Sequence, residues 1–177
     1  AADRNADPKI VEIDLEARLA EVEVAPGKVV RAWTYDGGLP GPLIRTKVGD
    51  RLIVHFKNQL AAPTTIHWHG VRVPIEMDGV PGISQPEVKT GDAFVYDFVV
   101  RDAGLFWYHP HVMSAAQVGF GLYGALQVDD PDDGVGVADT AHRDAAERVE
   151  VFFAFVIPQP AALSFDKYFQ PVRLSKA

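Results

Sequence analysis

Thr64-Thr65-Ile66-His67-Trp68-His69-Gly70 and, about forty residues later, Gly104-Leu105-Phe106-Trp107-Tyr108-His109-Pro110-His111 decide how this chain is read. Each stretch carries a His-x-His pair, and the residues leading into it are the β-branched and aromatic types that favour strands. Side chains alternate between the two faces of a strand, so both histidines of a pair share a face. Two such pairs on neighbouring strands can bring four imidazoles into one small volume. Imidazole suits copper, zinc, iron and nickel, and clustered imidazoles are costly to bury unless something satisfies them. Four of the six histidines lie in these two motifs. The others read as ordinary residues: His55 as a strand position in Arg51-Leu52-Ile53-Val54-His55-Phe56, and His142 as a solvated side chain in an acidic stretch.

Outward from the pairs the chain continues as short strands. Val11, Ile13 and Leu15 alternate with Glu12, Asp14 and Glu16. Glu21-Val22-Glu23-Val24 repeats the alternation before a turn at Ala25-Pro26-Gly27-Lys28, and Val29 to Trp33 resumes it. Residues 36–42 read as a loop, and Val48-Gly49-Asp50 as a turn before a strand through Leu52, Val54 and Phe56. Residues 73–90 are rich in Pro and Gly and predict a long ordered loop. Further strands are expected over residues 93–100, 104–108 and 123–128. Strands at this spacing suggest a sandwich or barrel. Residues 1–8 read as an N-terminal extension, 9–130 as the main domain and 131–148 as an acidic linker. Residues 149–157 form an apolar run suited to a strand buried on both faces. The segment 149–177 then reads as the start of a second domain or a partner-binding tail.

A chain of 177 residues holds one good-sized domain with some remainder. Its net charge of −7 argues against nucleic acid as a partner. No apolar run approaches a transmembrane span, so no membrane partner is expected. There is no cysteine; that excludes disulfides, thiolate zinc sites, cysteine nucleophiles and a blue-copper centre within this sequence. The first residues, Ala1-Ala2-Asp3, fit a processed export product or a simple boundary, which predicts a periplasmic or secreted location.

Several motifs together resemble the first cupredoxin domain of a multicopper oxidase, the family of laccases and bacterial cuprous oxidases. They are Thr64 to Gly70, Met77-Asp78-Gly79-Val80-Pro81-Gly82, Gly104 to His111, and Gly121-Leu122-Tyr123-Gly124-Ala125-Leu126, with Leu39-Pro40-Gly41-Pro42-Leu43-Ile44 and Val48-Gly49-Asp50 upstream. The resemblance implies an all-β, cupredoxin-like Greek-key β-sandwich over residues 9–130. It implies copper as cofactor, with His67 on the type 2 copper, His69 and His109 on one type 3 copper and His111 on the other. The family's remaining ligands come from His-x-x-His-x-His and His-Cys-His motifs, which this sequence lacks. The expected partner is therefore a C-terminal cupredoxin domain of the same chain or of a neighbouring subunit. Dioxygen and a small reducing substrate, a phenol or a metal ion, are the expected reactants.

The resemblance also places a proton-delivering acid at Asp78. A turn residue in Met77-Asp78-Gly79 is the equally available structural reading, since Asp is common in turns. Trp68, Trp107 and Tyr108 are expected on the face opposite the histidines, packed in the core. For function three possibilities stand: the N-terminal portion of a copper oxidase, a non-catalytic copper-binding cupredoxin module, or a structural cupredoxin domain. A zinc hydrolase is more distant, because it lacks an obvious general base beyond Asp78.

Overall fold

The structure is a computed structural model and describes residues 1–130. The linker expected at 131–148, the apolar run at 149–157 and His142 lie outside the described residues. Eight strands among residues 1–130 form two stacked sheets. They are β1 (Ile10–Ala25), β2 (Lys28–Tyr35), β3 (Gly41–Lys47), β4 (Arg51–Asn58), β5 (His67–His69), β6 (Ala93–Val99), β7 (Gly104–His109) and β8 (Gly124–Asp129). One sheet has the order β2-β1-β4-β6 and the other β3-β8-β7-β5. The chain crosses between sheets at each step from β2 to β7, which gives the expected all-β, cupredoxin-like sandwich.

The alternation in the sequence sets which residues fill the space between the sheets. Ile13, Leu15 and Ala17 of β1 point inward, as do Leu52, Val54 and Phe56 of β4 and Tyr96 and Phe98 of β6. Trp68, Tyr108, Leu126 and Val128 meet them from the second sheet. The first half of β1 runs parallel to β4, and its second half forms an antiparallel hairpin with β2. Beyond Ala17 the strand leaves the core, so Leu19 and Val24 are exposed. His55 stands on the outer face of β4, where its Nε2 meets Glu12 Oε1 at 2.8 Å. It is a strand residue of the opposite sheet and takes no part in the histidine cluster.

Two elements were not expected. β3 begins at Gly41, inside the loop expected at 36–42, and pairs in parallel with β8. A six-residue helix, α1 (Ser114–Gly119), follows the second histidine pair. Its buried Gln117 bonds to Thr64 Oγ1 at 2.7 Å and to the Pro63 carbonyl at 2.9 Å. The helix is thereby fastened to the segment that leads into β5. The loop between β5 and β6 is long and ordered as expected, with one 3₁₀ turn at Ile75–Met77.

Candidate metal centre

The short edge strand β5 pairs antiparallel with β7, with His67 opposite His109 and His69 opposite Trp107. This register, together with the two-residue period, puts His67, His69 and His109 on one face of the sheet; His111 lies just past the end of β7, and its ring still packs against His67. Ring centroids lie 5.6 Å apart for His67–His69, 5.3 Å for His67–His109, 4.4 Å for His67–His111 and 5.4 Å for His69–His109. One nitrogen each from His67, His69 and His109 falls within 4.8 Å of the others. His111 stands against His67 outside that tightest group. A bond from the His111 backbone N–H to Thr65 Oγ1 at 3.3 Å ties it to the segment before β5.

Local hydrogen bonds fix which nitrogens face inward. Carbonyl oxygens only accept, so Nδ1 of His67 donates to the Asp78 carbonyl at 2.8 Å and Nδ1 of His109 donates to the Pro110 carbonyl at 2.9 Å. Each ring then carries its lone pair on Nε2. Metal-bound histidines are ordinarily held in this way, with the second nitrogen on a carbonyl or carboxylate. His109 Nε2 faces Nδ1 of His69 at 3.2 Å. With metal–imidazole bonds of about 2.0–2.1 Å, one ion can bridge two nitrogens at that separation.

Burial also favours the neutral, ligating form. It pushes His109 down to about 4, reinforced by His67, His69 and His111 and opposed by the bond to Pro110. Burial and then His67 lower His69; the same two causes lead for His111, with Asp78 acting the other way. At neutral pH these rings are free bases with lone pairs to offer. The donor set is therefore one that fits a transition-metal ion.

Asp78 is brought to the cluster from the β5–β6 loop. Its Oδ1 lies 3.2 Å from His67 Nδ1, and its side chain is about a third exposed, at 35%. The loop is seated by Met77, whose Sδ accepts the Asp97 backbone N–H at 3.3 Å, and by Gly79. Gly79 has φ +74° and packs directly on the backbone of Ile66; a Cβ there would lie 1.9 Å from the Ile66 carbonyl oxygen. Only glycine allows that approach.

The aromatic residues around the pairs divide. Trp68 and Tyr108 are fully buried and pack between the sheets, as expected. Trp107 is a correction. It lies two residues before His109, so the two-residue period puts it on the histidine face. Its indole stacks on His109 with centroids 4.0 Å apart and lies 5.1 Å from His69. Parity alone could have found this. Gln117 and Gly79 also went unrecognised as supports of the site. Gln117 carries no sequence signal beyond being polar in an apolar stretch, whereas Gly79 stands in a recognisable turn.

Comparison with known proteins agrees with this picture. The family model described as multicopper oxidase matches residues 17–133. Copper resistance protein A of Escherichia coli is 46% identical over 103 residues, covering 58% of this chain and 17% of that protein. Laccase-2 of Botryotinia fuckeliana is 39% identical over 127 residues, covering 66% of this chain and 22% of its own length. Among solved structures, a multi-copper oxidase from Pseudomonas thermotolerans superposes with a TM-score of 0.66 at 50% identity, covering 68% of this chain and 30% of that one. A metallo-oxidase from Campylobacter jejuni gives 0.67 at 35% identity, with 75% and 28% covered. The chain spans about a fifth of the length of the curated relatives it matches.

Proposed function

The chain belongs to the multicopper oxidase family, and on that premise we propose that it supplies half the ligands of a trinuclear copper cluster. His67 is the ligand of the type 2 copper, His69 and His109 share one type 3 copper, and His111 serves the other. The rest of the cluster comes from another cupredoxin domain, in the same polypeptide or a neighbouring subunit. Residues 131–148 act as the linker towards it, and 149–177 begin it or bind it. The observation that carries this proposal is the β5–β7 register, which sets His69 Nδ1 and His109 Nε2 face to face at 3.2 Å.

Copper bound here would supply the one-electron steps that reduce dioxygen to water while a small donor, a phenol or a metal ion, is oxidised. The protein's part is to orient and to move protons. The Asp78 and Pro110 carbonyls hold the His67 and His109 rings with Nε2 inward. The Asp78 carboxylate reaches both water and the His67 edge of the cluster, so it can hold a proton at its oxygen and pass it inward. An extracytoplasmic location, periplasmic or secreted, belongs to the same proposal and rests on the family assignment.

A second function has one observation in its favour. Three donor nitrogens converge within 4.8 Å using only this domain's residues, as a non-catalytic copper-binding module would require. Copper analysis after gel filtration separates the two. The chain is measured alone and after mixing with a polypeptide carrying the His-x-x-His-x-His and His-Cys-His motifs. Low occupancy alone and a rise on mixing are expected. Three coppers held tightly by the chain alone would overturn the half-site and favour the self-contained module.

A further inference from the structure

Trp107 touches the cluster without donating a ligand. It faces His69 directly across the β5–β7 ladder and precedes His109 by two residues on the same face. One half-buried indole therefore lies against both rings: 4.0 Å from His109 at an interplanar angle of 29°, and 5.1 Å from His69 at 35°. These are the two rings whose nitrogens face each other at 3.2 Å.

The three closest histidines are not held alike. His67 and His109 each have a carbonyl on the nitrogen that points away from the cluster. For His69 it is Nδ1 that faces His109, so a carbonyl bond of that kind does not fix its attitude. Its ring is exposed on the edge strand, and the flat surface packed against it is the indole. An aliphatic side chain could occupy the same space without offering a plane. A single phenyl ring is too short to underlie two imidazoles at once.

We propose that Trp107 is a positioning residue for a pair of metal ligands: its indole sets the planes of His69 and His109 together, and with them the separation of their facing nitrogens. The assignment rests on His69 and His109 being ligands, so its test includes a measurement without metal.

The 177-residue chain is prepared in native form and as Trp107→Leu, Trp107→Phe and His69→Ala variants. Far-UV circular dichroism and melting check the fold. The ring-proton shifts of His69 and His109 are recorded by NMR in metal-free protein. The first equivalent of Cu(II) is titrated against a chromophoric chelator, and its nitrogen hyperfine pattern is read by electron paramagnetic resonance. In Trp107→Leu both sets of ring protons should lose the upfield shift of a stacked indole. Its first copper should bind about 10–100-fold more weakly, the range for loss of a group that orients a ligand, with an altered hyperfine pattern. Trp107→Phe should fall between it and the native chain. A folded Trp107→Leu that binds copper within twofold of native, or leaves the metal-free ring shifts unmoved, would overturn the proposal. Should Trp107→Leu fail to fold, Trp107→Phe carries the test, and native affinity with unchanged ring shifts would overturn it. A native chain that binds copper no better than His69→Ala would instead refute the ligand assignment, while the metal-free shifts still report on the clamp.

Discussion

Replacing Gly79 by alanine tests how the Asp78 loop is seated. The new Cβ would stand 1.9 Å from the Ile66 carbonyl oxygen, 2.5 Å from its carbon and 2.9 Å from the His67 nitrogen. All three are backbone atoms, so no side chain can swing aside. Two costs add. Holding an L-residue at φ +74° costs about 1–2 kcal/mol, and forcing atoms into packed surroundings costs about 1–3 kcal/mol. A loss of about 3 kcal/mol lowers the melting temperature of a domain this size by about 10 °C. Gly82→Ala is the control: its φ is +73°, but nothing lies within 4 Å of the added Cβ. It should lose only the conformational part, about 1–2 kcal/mol. Melting followed by far-UV circular dichroism on both variants isolates the clash as the difference between them. Copper titration should show a second difference, because a displaced loop takes the Asp78 carbonyl away from His67. Equal melting temperatures for the two variants would refute the reasoning.

Four further outcomes are expected. His109 lies near 4 in the fold and at 6.5 when unfolded, so the unfolded chain takes up the proton first; stability of the metal-free protein should be flat above pH 6.5 and fall from there towards pH 4. Urea midpoints that do not drop between pH 7 and pH 5 would contradict this. Tyr108 donates its hydroxyl to the Pro42 carbonyl at 2.7 Å, whereas the buried Tyr35 hydroxyl lacks a partner. Tyr108→Phe should therefore cost about 1–3 kcal/mol and Tyr35→Phe nothing or less, and denaturant unfolding in which Tyr35→Phe is the more damaging would reverse the assignment. In an assembled oxidase, Asp78→Asn should slow oxygen uptake by about 10²-fold or more yet keep its copper, because the backbone carbonyl on His67 survives; loss of copper would make the carboxylate structural. Finally, an oxygen electrode should detect no turnover of phenols by this chain alone with copper added, and sustained uptake abolished by a chelator would disprove the need for a second domain.

The histidine pairs were legible because metal-ligand spacing and strand period coincide: His67 and His69 fall on one face of β5, and the register sets His109 beside them, while His111, just past the end of β7, comes to the cluster through the turn that follows. The core of β1 and β4 was legible for the same reason, since polar and apolar residues alternate from Val11 to Leu19 in β1 and, apart from Ile53, through β4. β3 was hidden by Pro40, Gly41 and Pro42 at its start, which read as loop although the strand resumes at once. Helix α1 has six residues, too few for a 3.6-residue period to show. The misplacement of Trp107 came from treating the aromatic residues around the pairs as one group, when Trp68 and Tyr108 have one parity and Trp107 the other. The support from Gln117 depends on a contact 53 residues away in the chain, which local pattern does not encode.

The two histidine pairs sit on β5 and at the end of the adjacent β7, but the chain between them passes through β6, in the opposite sheet. His69 and His109, 40 residues apart, meet by closing a long loop that includes a strand of the other sheet. Such long-range pairing comes late in folding, because loop closure must precede the contacts that reward it. Until that loop closes, the two pairs of imidazoles stand apart, and the tight group of nitrogens arises with the β5–β7 pairing. Metal captured in that geometry would mark the formed β5–β7 ladder, so copper binding would serve as a reporter of folding.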